Sequence, residues 1–185
     1  MKYSSIAILF LIMGIISCKG VNAPTKQRAI ASQDITAMTY NIRLDVAVDG
    51  DNAWPNRKDI ICSQVQFYSP DIMGVQEARP NQMSDLKSCL TNYKTTGIGR
   101  DGGDQGEYSA IFYNSIKLSV EQENTFWLSK TPKQVSKGWD ADYPRICSYG
   151  LFTLIEKGKK FWVFNTHLDH KGNEAQLQGM QLILD

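Results

Sequence analysis

The chain has 185 residues, of which 42% are hydrophobic and 21% are charged, a balance typical of one modest globular domain. This composition excludes a disordered chain. The formal net charge of +1 excludes the broad basic surface that tight binding to long nucleic acid requires, although a nuclease that uses local contacts stays possible.

The chain begins with Lys2 and then an apolar run over residues 6–16. A run of this length is typical of a signal-peptide core and is too short to span a bilayer. Ser17 and Cys18 follow directly, and the pattern resembles the bacterial lipobox, in which cleavage leaves a lipidated cysteine. We therefore predict a signal peptide over residues 1–17, a lipid-anchored tether over residues 18–34 with Cys18 as the lipidated residue, and an exported protein on a bacterial membrane, periplasmic or at the cell surface. Plain secretion, with Cys18 as a bystander, is the alternative.

From residue 35 the hydrophobic pattern predicts strands that alternate with helices. The predicted elements are a strand over 35–43, a helix over 56–68, a strand over 71–77 and a helix over 81–90. This alternation is typical of an α/β fold.

The second half of the sequence is richer in strand patterns. The predicted elements are short strands over 108–113 and 125–128, a hairpin of strands 147–155 and 160–168, and a helix over 173–185. Both hairpin strands are apolar on both faces, so we expect each face to be covered by a further layer.

Four polar residues stand beside predicted strands, each of a type that serves in catalysis: Asn41, Glu77, Glu107 and His167. A carboxylate such as Glu77 suits a hard cation, above all Mg²⁺, which keeps waters for phosphate oxygens. An imidazole can donate to a phosphate oxygen, and a second carboxylate can hold that imidazole in place. Asn41 offers a neutral amide to either the metal or the phosphate.

The two histidines of the chain, His167 and His170, raise two rival interpretations. They could be ordinary hydrogen-bonding residues at a strand end, or they could be zinc ligands. A catalytic zinc usually takes three protein ligands from sets rich in histidine, and the chain has no third histidine. We therefore disfavour zinc.

Four segments resemble the endonuclease/exonuclease/phosphatase superfamily, in order and at plausible separations: MTYNIR at 38–43, GVQE at 74–77, GEYSAIFY at 106–113 and FNTHLDH at 164–170. The superfamily includes deoxyribonucleases, sphingomyelinases and inositol-polyphosphate phosphatases. Further segments at 54–58, 126–129 and 137–145 resemble its exported bacterial branch. The resemblance covers residues 35–185 and implies an α/β fold, the N-terminal part of a four-layer sandwich of two packed β-sheets with helices outside.

The resemblance also implies roles for individual residues. Glu77 matches the principal Mg²⁺ ligand, with Mn²⁺ as a possible substitute, and Asn41 matches the asparagine beside the metal and the phosphate. His167 matches the histidine that contacts the scissile phosphate, and Glu107 matches the glutamate that orients it. Arg145 could match a substrate-binding arginine near the site, or it could be a surface arginine.

Asp169 and His170 match no family role, and we interpret them as loop residues that shape the mouth of the site.

The implied function is Mg²⁺-dependent hydrolysis of a phosphate ester. Nucleic acid, phospholipid and sugar phosphate all fit as substrate, and neither a diester nor a monoester is favoured. A non-catalytic surface lipoprotein that retains the fold is the alternative.

The family pattern also predicts a later Gly-Asp-x-Asn segment and a Ser-Asp-His segment, and neither occurs in this sequence. We therefore expect the chain to be the N-terminal part of a longer enzyme and inactive on its own. We also expect inner-face residues such as Ile111 and Val163 to lack packing partners.

Three cysteines follow Cys18, at positions 62, 89 and 147. They cannot all pair within the chain, and their spacing is not that of a zinc site. We expect mainly buried thiols, with one disulfide possible in an oxidising compartment.

Overall fold

The fold is known from a computed structural model that describes residues 34–185. The predicted signal peptide, Cys18 and the tether as far as residue 33 lie outside the described residues. A short 3₁₀ segment spans Ala47–Asn52. The other elements, in chain order, are β1 Ala37–Asn41, α1 Trp54–Tyr68, β2 Ile72–Gln76, α2 Pro80–Cys89, β3 Tyr93–Thr96, β4 Ile111–Asn114, β5 Leu118–Trp127, β6 Ile146–Leu154, β7 Lys159–Thr166 and α3 Asn173–Leu184.

The first sheet has the strand order β1-β2-β4-β3. Strands β1 and β2 are parallel, with Asn41 opposite Gln76, whereas β4 runs antiparallel to both of its neighbours. Parallel neighbours need a crossover connection, which α1 supplies here. The carboxyl ends of β1 and β2 therefore meet at one edge of the sheet.

Helices α1 and α2 cover one face of the first sheet. Helix α1 has a proline in its first turn and ends at Ser69, which adopts a left-handed conformation with φ of 44°. The apolar cluster beneath the helices includes Trp54, Val65, Val75 and Phe112. Side chains alternate along a strand, so the residues of β2 and β4 that lie between these point to the opposite face.

Helix α1 and the last residue of α2 are joined by a disulfide between Cys62 and Cys89. The expectation of mainly buried thiols is therefore wrong for this pair, and the one possible disulfide is present. Two helices that pack side by side bring together cysteines separated by 27 residues, which spacing alone could not show. Cys147 is a free, buried thiol, and burial raises the pKa of this thiol to about 12.

The second sheet has the strand order β5-β6-β7 and is wholly antiparallel. It packs against the face of the first sheet that the helices leave open, through the cluster Ile72, Ile111, Tyr113, Leu118 and Phe152. The predicted architecture of two packed sheets with helices is thus confirmed. The predicted hairpin is confirmed as β6 and β7.

The expectation that Ile111 and Val163 lack partners is wrong. Ile111 is fully buried, and Val163 packs against the cluster between the sheets. The expectation that both hairpin faces are covered is wrong within the described residues, because Trp162 and Phe164 of β7 are each 47% exposed. Their rings lie on the outer face of the sheet, in contact with Tyr149.

Two strands differ from the sequence-based prediction. Strand β3 was not predicted, and β5 begins at Leu118 rather than at residue 125. Tyr108 forms isolated bridges to Ala78 and Gly99 and lies outside the named strands. No helix among residues 34–185 is long and apolar enough to cross a membrane.

Candidate functional site

The ends of the parallel strands β1 and β2 bring Asn41 and Glu77 together. Asn41 Nδ2 donates to Glu77 Oε1 at 2.7 Å, and the backbone N–H of Leu44 donates to Glu77 Oε2 at 3.2 Å. Glu77 has a φ of +64°, a region that costs a non-glycine residue about 1–3 kcal/mol and that clusters at functional sites. The fold thus holds this carboxylate in one orientation at the edge of the sheet.

The second sheet contributes His167, directly after β7, and Arg145, directly before β6. The register pairs Cys147 with Thr166, so the two residues lie at the same end of the hairpin. His167 Nε2 lies 4.0 Å from Glu77 Oε1. Strand ends from two different sheets therefore meet at this point.

The imidazole of His167 is partly buried. Burial lowers its pKa below the ordinary value of 6.5, Arg145 adds to this effect, and the carboxylates of Glu77 and Glu107 oppose it. The ring is therefore neutral at pH 7 and keeps one N–H to donate. Its Nδ1 atom is buried and has no hydrogen-bond partner among the described residues.

Glu107 lies near His167 but makes a different contact from the expected one. Its Oε1 atom lies 2.9 Å from Nη2 of Arg100, in an ion pair whose two side chains are each 14% exposed. The structure gives no hydrogen bond between Glu107 and His167. The charge of Glu107 favours the protonated form of His167, while one of its carboxylate oxygens pairs with Arg100.

The loop that carries Arg100 and Glu107 is tightly closed. The N–H of Arg100 donates to the carbonyl of Glu107 at 3.0 Å, and the N–H of Gly99 donates to the carbonyl of Gly103 at 2.7 Å. A Cβ atom at Gly99 would lie 2.0 Å from the carbonyl oxygen of Gln105, so only glycine fits there. This closure sets the position of Arg100.

Arg145 is buried, so the interpretation as a surface arginine is wrong. Its Nε atom donates to Oδ2 of Asp169 at 3.2 Å, and its Nη2 atom lies 3.2 Å from Nδ1 of His170. His170 itself is exposed at the mouth, as predicted, and stacks beside Tyr143.

The interpretation of Asp169 as a residue of the mouth is wrong, because Asp169 is buried. Burial alone would raise its pKa, but the N–H groups of Gly172 and Lys171 and the Arg145 guanidinium hold it well below the ordinary 3.8. Asp169 therefore remains a carboxylate that fixes Arg145.

These groups line one cleft of about 490 Å³, whose walls are formed by Leu44, Glu77, Arg79, Arg100, Glu107, Tyr143, Arg145, His167 and His170. At its base a recess of about 10 Å³, the size of one water, is lined by many of the same residues. Four of the predicted site residues thus share the cleft, and the fifth, Asn41, is bonded to Glu77.

Two residues of the site were not predicted. Arg100 lies in a glycine-rich loop that gave no recognisable motif. Asn165 stands inside the FNTHLDH segment, and its buried amide donates to the carbonyls of Val75 and Ala110 at 3.0 and 2.8 Å. Asn165 thereby fixes the strand that carries His167 against the first sheet.

The side chains present fit a Mg²⁺ ion better than a zinc ion. No group of three or more His, Cys, Asp or Glu side chains that could enclose a metal occurs within residues 34–185. Glu77 is a single carboxylate with Asn41 beside it, and it opens onto a cleft with room for water. Mg²⁺ commonly binds through one or two carboxylates and keeps several waters.

Comparison with known proteins shows a family to which this chain is similar. The model of the Endonuclease/Exonuclease/phosphatase family matches residues 38–175, a range that includes every site residue named above. A mannosyl-6-phosphatase from Bacteroides thetaiotaomicron is 41% identical with a TM-score of 0.79, over 82% of this chain and 58% of that one.

Two further proteins are similar to this chain. An endonuclease/exonuclease/phosphatase from Bacteroides vulgatus is 40% identical with a TM-score of 0.77, over 80% of this chain and 57% of that one. An uncharacterised protein of Acanthamoeba polyphaga mimivirus is 34% identical over 124 residues, which is 63% of this chain and 46% of the viral protein. The chain therefore spans about half the length of these relatives.

Proposed function

Because the chain belongs to the Endonuclease/Exonuclease/phosphatase family, we propose that it is a metal-dependent phosphoesterase. The observation that supports this most is the convergence of Glu77, from the first sheet, with His167 and Arg145, from the second, on one cleft. A metal ligand, a neutral hydrogen-bond donor and a guanidinium are the groups that phosphoryl transfer uses to position a phosphate and to stabilise its charge.

In this proposal Glu77, with Asn41 beside it, holds Mg²⁺, and Mn²⁺ can replace it. The ion, when bound, neutralises charge that develops on the phosphate. The neutral imidazole of His167 donates a hydrogen bond to a phosphate oxygen. Arg145, fixed by Asp169, presents its remaining N–H groups to the same phosphate.

For the substrate we propose a sugar phosphate monoester, on the strength of the 41% identity to the mannosyl-6-phosphatase. The same likeness gives less support to a phosphodiester substrate. Because the chain spans 58% of that phosphatase, residues beyond the matched region contribute to activity in this proposal. The non-catalytic lipoprotein is the second candidate and predicts no turnover under any of the conditions below.

The test uses an extended version of the protein that adds the corresponding C-terminal part of the Bacteroides thetaiotaomicron phosphatase. We expect Mg²⁺-dependent release of phosphate from mannose 6-phosphate, and slower hydrolysis of bis-p-nitrophenyl phosphate. His167→Ala should lower kcat by about 10²–10⁴. An absence of metal-dependent turnover on both substrates would exclude a phosphoesterase and leave the lipoprotein.

Glu77→Gln tests the metal ligand. We expect it to raise the Mg²⁺ concentration needed for half-maximal turnover far more than Glu121→Gln does. Glu121 is a matched control because it is exposed and pairs with Lys160 on the second sheet, away from the cleft. Equal effects of the two substitutions would remove Glu77 from this role.

We also propose that Cys18 carries a lipid and anchors an exported protein to a bacterial membrane. The support for this is the apolar run over residues 6–16 that stops directly before Ser17 and Cys18. In this proposal residues 18–34 are the tether between the lipid and the domain.

A further inference from the structure

The guanidinium group of Arg100 lies in the site and can donate a further hydrogen bond. Its Nη2 atom pairs with Glu107, but its Nε atom is buried and has no hydrogen-bond partner among the described residues. Its Cζ atom lies 4.9 Å from the ring centroid of Tyr143, close enough for a cation–π contact. Arg100 lines both the cleft and the recess at its base, beside His167 and Glu77.

The backbone of Arg100 is fixed independently of this ion pair. Its N–H donates to the carbonyl of Glu107 at 3.0 Å, and its carbonyl accepts from Nε1 of Trp127 at 2.7 Å. The side-chain pair between Arg100 and Glu107 can therefore open while the loop stays in place. Tyr143 then still holds the guanidinium at the wall of the cleft.

We propose that Arg100 is a specificity-determining residue that selects doubly charged phosphate monoesters by exchanging Glu107 for the substrate phosphate. This inference rests on the proposed function and deepens it. Arginine binds phosphate through two parallel N–H bonds, so the exchange replaces one charged partner by another of suitable geometry.

The cationic guanidinium of Arg100 supplies the discrimination in this exchange, and the threshold for binding is set by Glu107. Its carboxylate carries one negative charge, and any ligand that binds Arg100 competes with it. A phosphate monoester carries about −1.5 to −2 charges at pH 7, more than the carboxylate that it displaces. A diester carries a single charge and gains little over Glu107. The internal carboxylate therefore sets a threshold that a dianion passes and a monoanion does not.

Arg145 cannot supply this discrimination, because its counter-ion is not exchangeable in the same way. Asp169 is buried, accepts hydrogen bonds from three backbone N–H groups and pairs with Arg145 Nε. Lys94 is an exposed cation on β3 that does not line the cleft, so it serves as a control.

The experiment is a titration by calorimetry of the full chain, with Mg²⁺ present throughout, using inorganic phosphate and dimethyl phosphate. At about pH 8 inorganic phosphate is mainly a dianion, because its relevant pKa lies near 6–7 as in phosphate monoesters. We expect inorganic phosphate to bind about tenfold more tightly or better than dimethyl phosphate. Arg100→Gln should lower the affinity for inorganic phosphate by about tenfold, the effect of one charged hydrogen-bonded contact.

The same substitution should change the affinity for dimethyl phosphate by less than about twofold. Lys94→Gln should change either affinity by a similarly small factor, as expected for an exposed charge. Arg100→Lys keeps the charge and loses the paired geometry, so it should give an intermediate loss. If Arg100→Gln does not show the wild-type circular dichroism spectrum, Arg100→Lys replaces it as the test of the inference.

The substitution Glu107→Gln should change ligand affinity in the opposite direction to Arg100→Gln. Removal of the competing charge should raise the affinity for both ligands, and for inorganic phosphate at least as much as for dimethyl phosphate. The inference is overturned if Arg100→Gln weakens the binding of both ligands equally or of neither, or if Lys94→Gln has the same effect. Binding is measured here without turnover, so a failure of the proposed hydrolysis leaves this result readable.

Discussion

Gln76 and Asn165 join the two sheets through a hydrogen bond of 2.7 Å between Gln76 Nε2 and Asn165 Oδ1. The two residues are 89 positions apart in the chain, and both are buried. A Cβ atom at Gly74 would lie 2.6 Å from Asn165 Oδ1, so the close approach also requires glycine in β2. This contact places the end of β7 against the end of β2.

Asn165→Asp should therefore destabilise the fold although the two side chains have nearly the same shape. A carboxylate cannot donate to the carbonyls of Val75 and Ala110, and its negative charge would face both carbonyl oxygens in a buried position. We expect a loss of about 2–4 kcal/mol in the free energy of unfolding, measured in urea. The control is Asn124→Asp, at an exposed position where Oδ1 only accepts from a backbone N–H. A loss no larger than that of the control would contradict the assigned role.

Reduction of the Cys62–Cys89 disulfide should lower stability, because the unfolded chain gains conformational entropy when the bond is broken. The bond closes a loop of 27 residues between α1 and α2, and the chain-entropy relation gives about 3–4 kcal/mol for a loop of this size. We expect a lower urea midpoint in the presence of dithiothreitol. The double substitution Cys62→Ala and Cys89→Ala should show the low midpoint in both conditions. If dithiothreitol also lowers the urea midpoint of that variant, the loss of stability does not come from this disulfide.

Asp169→Ala should cost about 3–5 kcal/mol, because it leaves the buried guanidinium of Arg145 without its partner. Asp142→Ala, which removes a partly exposed pair with Lys171, should cost less than about 1 kcal/mol. Denaturant unfolding of both variants checks this. Similar losses in the two would show that the Arg145–Asp169 pair does not stabilise the site.

The depressed pKa of Asp169 also predicts a pH dependence. The unfolded chain takes up a proton at this residue near its ordinary pKa of 3.8, whereas the folded chain does so only at lower pH. The stabilisation is therefore fully present above about pH 5 and is lost progressively as the pH falls below about 4. Asp169→Asn should flatten the slope of unfolding free energy against pH in that range. An unchanged slope would count against the pKa direction.

The lipid anchor is testable in cells that express the full chain. Label from radioactive palmitate should enter the wild-type protein and be absent from Cys18→Ser. The cysteines at positions 62 and 89 form a disulfide, and Cys147 is buried, so none of these offers an alternative exposed thiol. Label that persists in Cys18→Ser, or that never appears, would end this proposal.

The elements with a strong local pattern were predictable, and those that depend on neighbours were not. The helix of α1 and the strands β2, β6 and β7 follow from apolar spacing and from breakers at their ends. The first half of β5 carries the exposed polar residues Ser119, Glu121 and Glu123, so it looks like a polar turn. Its strand conformation comes from pairing with β6, a non-local cause.

The same distinction applies to the site. Glu77 and His167 were predictable because each directly follows an apolar strand. The partner of Glu107 was not, because the choice between Arg100 and His167 depends on how one loop closes. Arg145 could not be assigned either, since its burial follows from Asp169 and not from its own neighbours in sequence.

The origin of the site in two sheets has a consequence for the order of folding. Asn41 and Glu77 belong to one contiguous β1-α1-β2 unit, whose strands pair within 35 residues of each other. His167 arrives from a strand 90 positions after Glu77, and contacts of long sequence separation form slowly because loop closure is entropically costly. The part of the site that contains Asn41 and Glu77 is therefore expected to form early, and His167 is expected to join it only once the sheets have docked. A chain emerging from synthesis would complete the first part of the cleft before the second sheet exists.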